Sequence, residues 1–169
     1  QGADSTFLDE VLKRISLASG KDEEGHYRVV SSSFMVSADN AHAVHPNHPE
    51  KADPINRPMI NKGIVIKFNA AQHYTTDAVS CAVYRDLCES NDIPVQVFTN
   101  RSDTRGGSTL GNVSNAHVSL NTVDIGLAQL AMHSCYETVG ARDTKHLVDA
   151  MTIFYSKTFR VDAGRSEEH

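Results

Sequence analysis

The segment Ser37-Ala-Asp-Asn-Ala-His-Ala-Val-His-Pro-Asn-His48 gathers one carboxylate and three imidazoles into a single short stretch. Asp39, His42, His45 and His48 are residue types that bind divalent metals or move protons. The segment follows an apolar run ending in Phe34, Met35 and Val36, so it starts where a strand should end. Loops at strand ends are where α/β enzymes build their sites. Pro46 excludes one regular helix through all three histidines, and their spacing matches no closed zinc motif. Spacing alone therefore points to one functional histidine without naming it. Asp39 keeps the ordinary alternative of capping a turn before Asn40. Much further on, His133 stands in Ala131-Met-His-Ser134. Beside Leu127, Leu130 and Met132 it is either a ligand to match Asp39 or a core histidine with a satisfied ring. The combination suggests a hydrolytic metal site with fewer ligands than such a site needs.

Two further groups could serve the same chemistry. Lys67 and Tyr74 bracket Phe68-Asn-Ala-Ala-Gln-His73. A lysine at a strand end can hold a carboxylate as a point charge, and a tyrosine hydroxyl can donate to an oxyanion. The ordinary alternative is a snorkelling lysine and a half-buried tyrosine. Arg105-Gly-Gly-Ser-Thr-Leu-Gly111 is a glycine-rich loop ahead of a short helical turn. It lacks both GxxxxGK[ST] and GxGxxG. It reads better as the wall of a pocket for a peptide or carboxylate than as a phosphate cradle. His26, His73, His117 and His146 join no constellation.

These residues need a scaffold, and the composition bounds it. With 169 residues the chain is long enough for one domain with a true core. A net charge of -5 argues against nucleic acid as partner, because phosphate binding needs clustered cations. No apolar run approaches the roughly 20 residues of a membrane span, and no basic start with an apolar middle marks a leader. The cysteines are Cys81, Cys88 and Cys135, with no CxxC pair. This argues against a disulfide framework and fits a reducing compartment. Cys81 and Cys88 lie seven apart, so a helix would bury both on one face. The start lacks an initiator Met and opens on the approach to a helix, as expected of an internal piece or a processed chain.

Periodicity supplies the elements. Helices are expected over Ser5–Leu17, with Asp4 or Ser5 as cap, over Thr75–Ser90, with Val79, Ala82, Val83 and Leu87 on one side, and over Thr144–Phe159. Strands are expected over Tyr27–Ala38, Gly63–Phe68, Pro94–Thr99 and Val118–Ile125. Pro46, Pro49, Pro54 and Pro58 keep the stretch from His45 to Asn61 irregular. Helices alternating with strands imply an α/β/α sandwich around a mixed, mostly parallel sheet. Residues 160–169 read as a polar tail.

Four stretches together carry a resemblance. They are Ser37–Asn47, Lys67–Tyr74, Ser102–Gly111, and Asp124-Ile-Gly126 followed by Ala131–Ser134. In this order they resemble the aspartyl aminopeptidase family, dinuclear-metal aminopeptidases that form tetrahedral dodecamers. The resemblance implies that Asp39 and His133 are metal ligands. It implies that His42, Lys67 and Tyr74 contact substrate, and that Gly106 and Gly107 wall the pocket. It also implies two divalent ions per complete site, with zinc first and manganese or cobalt also suitable.

What the resemblance implies is also incomplete here. An upstream histidine ligand, a bridging aspartate and an adjacent glutamate pair have no match in this chain. Residues 1–159 therefore resemble the C-terminal portion of the catalytic domain, completed by an upstream segment or a second chain. The expected function is release of acidic or neutral N-terminal residues from peptides, in a cytoplasmic homo-oligomer or in a compartment such as a vacuole. The alternative is a non-catalytic fragment or degenerate relative serving assembly or binding. Cys135-Tyr136 stands where some relatives carry a basic residue, which leaves the subclass open.

Overall fold

The computed structural model describes residues 2–104 and 106–159. The expected polar tail, 160–169, and Arg105 of the glycine-rich loop lie outside the described residues. The chain folds as an α/β structure around a four-stranded sheet. In chain order its main elements are α1 (Phe7–Ala18), α2 (Glu23–Ser31), β1 (Phe34–Ala38), β2 (Ala41–His42) and β3 (Ile64–Phe68). Then come α3 (Ala78–Glu89), β4 (Val95–Thr99), α4 (Leu110–Asn115), β5 (Asn121–Gly126), β6 (Ala128–Leu130), β7 (Thr138–Val139) and α5 (Ala141–Ser156).

The main sheet runs β1-β5-β3-β4. The outer pairs, β1 with β5 and β3 with β4, are parallel, and the central pair is antiparallel. A second small sheet runs β2-β6-β7. Ile64, Val65 and Ile66 are each fully buried, as an apolar run covered on both faces requires. Strand alternation divides the side chains. Ile64, Ile66, Val123 and Ile125 join Tyr84, Leu87 and Cys88 of α3 and Ala150 of α5 in the main core. The opposite face carries Ser37, Lys67 and Asp124, all buried and all polar. That face is where chemistry can happen.

Several expectations shift. Tyr27–Ser31 is helix rather than strand, so only Phe34–Ala38 of the expected strand pairs. Asp22 decides this locally: its side chain caps α2 by accepting from Gly25 N at 2.7 Å. One turn on, Tyr27 reaches Glu23 and Arg28 reaches Glu24. The first helix starts at Phe7 after Thr6, and Asp4 instead pairs with His117. On α3 the buried stripe is Ser80, Cys81, Tyr84, Leu87 and Cys88, whereas Val79 faces out. Asp77 and Ser80 form a reciprocal capping box that fixes where this helix begins. On α5 the stripe is Leu147, Ala150, Ile153 and Phe154, with Val148 and Tyr155 exposed. Three short strands, β2, β6 and β7, escape the periodicity because two or three residues carry too little pattern.

The turn before β3 is pinned by a buried carboxylate. Asp143 accepts from Asn61 N at 2.6 Å and Gly63 N at 2.8 Å. Gly63 has φ +109°, and a Cβ there would lie 2.1 Å from Pro94 O. Only glycine allows β3 to enter the sheet beside Pro94.

Candidate active-site pocket

Asp39 follows the last residue of β1 and prolongs its pairing, donating from N to Ile125 O at 2.9 Å. Asn40 then locks the turn. Its Oδ1 accepts from Leu127 N at 3.1 Å and its Nδ2 donates to Gln129 Oε1 at 2.6 Å. Ala41 N reaches Leu127 O at 2.9 Å and begins β2. The chain thus crosses from the large sheet to the small one at Asp39-Asn40. Gly126 makes the crossing possible: a Cβ there would sit 2.0 Å from Asp39 O.

Lys67 comes from β3 and is 2% exposed. Its Nζ donates to Asp39 O at 2.7 Å and lies 5.2 Å from the centre of the Tyr74 ring. Burial pulls the Lys67 pKa down, against the opposing pull of the Asp39 and Asp124 charges. Tyr74 donates from its hydroxyl to Asn100 Oδ1 at 3.2 Å. Burial raises its pKa, and Asp124 and Asp39 push it further up. His42 is lowered first by burial, then by His133 and Lys67. A neutral imidazole and a protonated phenol are therefore the forms held near neutral pH.

His133 sits in the connection between β6 and β7 with φ +65°, and Ala131 has φ +54°. Left-handed φ is uncommon for such residues and carries strain. The connection holds it with Ser134 N on Ala131 O at 3.0 Å and His133 N on Glu137 Oε1 at 2.6 Å.

These side chains meet at one cavity of about 250 Å³, lined by Asp39, His42, Lys67, Tyr74, Gly107 and His133. Asn100, Thr109 and Met132 are also on its wall. Of the three clustered histidines only His42 reaches it. His45 and His48 face each other, ring centres 5.5 Å apart, on a neighbouring cavity of about 270 Å³ that shares His42, Phe98, Asn100 and Thr104 with the first. Gly107 lines the first cavity, while Gly106 stands behind it: a Cβ there would meet Asn100 Nδ2 at 2.5 Å. The sequence assigns no role to Asn40, Asn100 or Asp124, although Asn40 and Asp124 lie in stretches that carry the resemblance. Asn100 directly follows β4, so its place at a strand end was the available signal.

A carboxylate and an imidazole on one cavity have the donor chemistry that zinc accepts. Among the described residues no group of three or more His, Cys, Asp or Glu is placed to hold an ion. Asp39 and His133 thus fit part of a metal site, and a closed one needs further ligands.

Residues 1–155 match the family described as aminopeptidase I zinc metalloprotease (M18). The chain belongs to the M18 family. A probable M18 family aminopeptidase 2 of Clostridium acetobutylicum is 52% identical over 156 residues, covering 92% of this chain and 36% of that protein. The chain therefore spans about a third of the length of this curated relative. Among solved structures, the Ape4 and Nbr1 complex matches with TM-score 0.86 and 40% identity, over 92% of this chain and 29% of that one. The mApe1 dodecamer of S. cerevisiae matches with TM-score 0.77 and 29% identity, over 92% and 34%. The M18 fold is thus the frame in which Asp39, Lys67 and His133 are held together.

Proposed function

We propose that this M18 chain is the C-terminal portion, residues 1–159, of the catalytic domain of a metal-dependent aminopeptidase. The enzyme releases acidic or neutral N-terminal residues from peptides. The observation that carries this reading is the convergence of Asp39, His42, Lys67, Tyr74 and His133 on one cavity. These residues come from β2, β3 and the loops after β1, β3 and β6, separated by up to 94 positions (133 minus 39). A merely structural set of polar residues has no reason to share a concave surface.

Asp39 and His133 hold a divalent ion, zinc in the first place, with manganese or cobalt as alternatives. Ligands from outside this chain complete a site for two ions. When bound, the metal pair supplies a Lewis acid and a water of lowered pKa. The chain's own residues do the rest. Lys67, fixed by Asp39 O, presents its remaining N–H donors to a carboxylate of the substrate. Neutral His42 donates a hydrogen bond to the oxygen that gains charge as the peptide carbonyl is attacked. Tyr74 leaves Asn100 to donate to the same oxygen, and its raised pKa keeps that proton in place. Gly107 brings main chain against the substrate without a side chain in the way. The general base comes from the part of the protein beyond this chain.

The assembled particle is a homo-oligomer, a dodecamer on this reading, which the solved mApe1 dodecamer supports. Phe7, Ile15 and Leu17 of α1 are more than half exposed, and such a face needs covering by the rest of the protein or by another copy. No helix among the described residues is long and apolar enough to cross a membrane, and the free thiols support a cytoplasmic location.

The test uses the full-length protein with zinc added, and peptides beginning with Asp, Glu and Leu. Asp39→Asn and His133→Ala each should lower both bound zinc and kcat/KM by about 10²-fold or more. Activity retained in either variant rejects the ligand assignment.

A further inference from the structure

Asp124 has no part in the chemistry above, yet it is completely buried on the polar face of the sheet. On β5 its neighbours Val123 and Ile125 point into the main core, so Asp124 points toward the cavity side. Its carboxylate takes donors from two different loops. Thr75 donates twice to Oδ2, from N at 2.6 Å and from Oγ1 at 2.7 Å. Thr109 donates from Oγ1 to Oδ1 at 2.8 Å. The main chain of Asp124 is engaged too, donating from N to Thr76 Oγ1 at 2.8 Å.

Both loops are walls of the cavity. Tyr74, Gly107, Ser108 and Thr109 are on the lining, and Thr75 directly follows Tyr74. The second loop is fitted to this carboxylate closely. A Cβ at Gly111 would lie 2.9 Å from Asp124 Oδ1 and 2.8 Å from Ser37 Cβ, and Gly111 N donates to Ser37 Oγ at 2.9 Å. Ser37 is in turn the partner of Asp124 across β1 and β5. One carboxylate therefore joins two segments, 34 positions apart (109 minus 75), that both contribute to the pocket wall. Burying an ion is costly unless it is fully bonded. A sheet whose only need was stability would be as well served by apolar residues.

We propose that Asp124 is the positioning residue of the substrate pocket, setting the spacing between Tyr74 and the Gly107–Thr109 loop. This rests on the aminopeptidase reading of the cavity. On the metal side, Asp39 is held by its main-chain pairing with Ile125 and His133 by its own loop, not by the Asp124 carboxylate. Loosening Asp124 therefore moves substrate contacts and leaves metal in place.

The experiment uses the full-length, assembled, zinc-loaded enzyme. Thr75→Val and Thr109→Val each remove one hydroxyl donor, and Thr75→Ser and Thr109→Ser keep it. KM, kcat, zinc per chain, and hydrogen exchange of the amides at 75 and 107–109 are measured for all. The valine variants should raise KM about tenfold or more, speed exchange in both loops, and keep zinc at the wild-type level. The serine variants should return KM to within about twofold of wild type. Unchanged KM and exchange in assembled valine variants overturns the proposal, as does zinc lost in step with activity. An inactive wild type rejects the aminopeptidase reading instead, and the exchange result still decides whether Asp124 ties the two loops.

Discussion

Gly126→Ala is the sharpest single perturbation this structure offers. Gly126 is at the end of β5, buried, and its φ is one that alanine adopts freely, so only space is at stake. A Cβ there would lie 2.0 Å from Asp39 O, 2.7 Å from Asp39 C and 2.8 Å from Asn40 Cα. Side-chain carbons do not approach main chain closer than about 3 Å, so Asp39 must retreat by at least about 1 Å. It cannot do so alone. Asp39 O is the acceptor of Lys67 Nζ, and Asp39 N is paired with Ile125 O. The methyl group therefore displaces the proposed ligand and disturbs the hydrogen bond that Asp39 O accepts from Lys67. Overpacking of this kind costs about 1–3 kcal/mol of stability. A misplacement of about 1 Å in a reacting group costs about 10²-fold in rate.

The assay is kcat/KM and zinc content of the full-length Gly126→Ala enzyme, with its unfolding midpoint measured beside them. The expected result is a loss of activity of about 10²-fold, out of proportion to a modest fall in midpoint. Asp39→Asn in the same background should then cost little more, because the position is already lost. If Gly126→Ala were as active as wild type, the crossing would be softer than its contacts imply. The argument that places Asp39 by sheet geometry would then be wrong.

Two other outcomes follow from the same geometry. Lys67→Met keeps an unbranched stem and removes the charge, so kcat/KM should fall about 10–100-fold on peptides starting with Asp and clearly less on those starting with Leu. Equal losses on both would assign Lys67 to holding Asp39 alone. Cys88 is fully buried, and burial raises its thiol pKa to about 11. The unfolded chain releases that proton near the ordinary thiol value, so stability is intact below about pH 9 and falls between about pH 9 and 11, by about 2–3 kcal/mol. Chemical unfolding against pH reads this directly, and Cys88→Ala should flatten the alkaline fall even though it lowers stability at pH 7.

What was legible in the sequence, and what was not, divides along physical lines. Asp39, His42 and His133 stood out because their chemistry is local: polar, ligating side chains next to apolar runs. Asp124 opens one of the four stretches of the resemblance, yet neither it nor Asn100 received a role, because their roles depend on register. Asp124 matters only because β1 pairs Ser37 with it and because the antiparallel step Ile66↔Ile125 brings Lys67 beside it. No spacing within one segment encodes a row formed by three strands. The same limit explains Tyr27–Ser31, where a short apolar run fits strand or helix and the Asp22 cap decides. It also explains α1. The apolar period of Phe7, Val11 and Ile15 is plain, but in this chain that face looks outward. Periodicity states that a face will be covered, and says nothing of what covers it. Adding the rest of the full-length protein should therefore bury Phe7, Ile15 and Leu17 without altering the Asp39 cavity from within. Hydrogen exchange that slowed in α1 on assembly, with Asp39 and Asn40 unchanged, would separate the two roles.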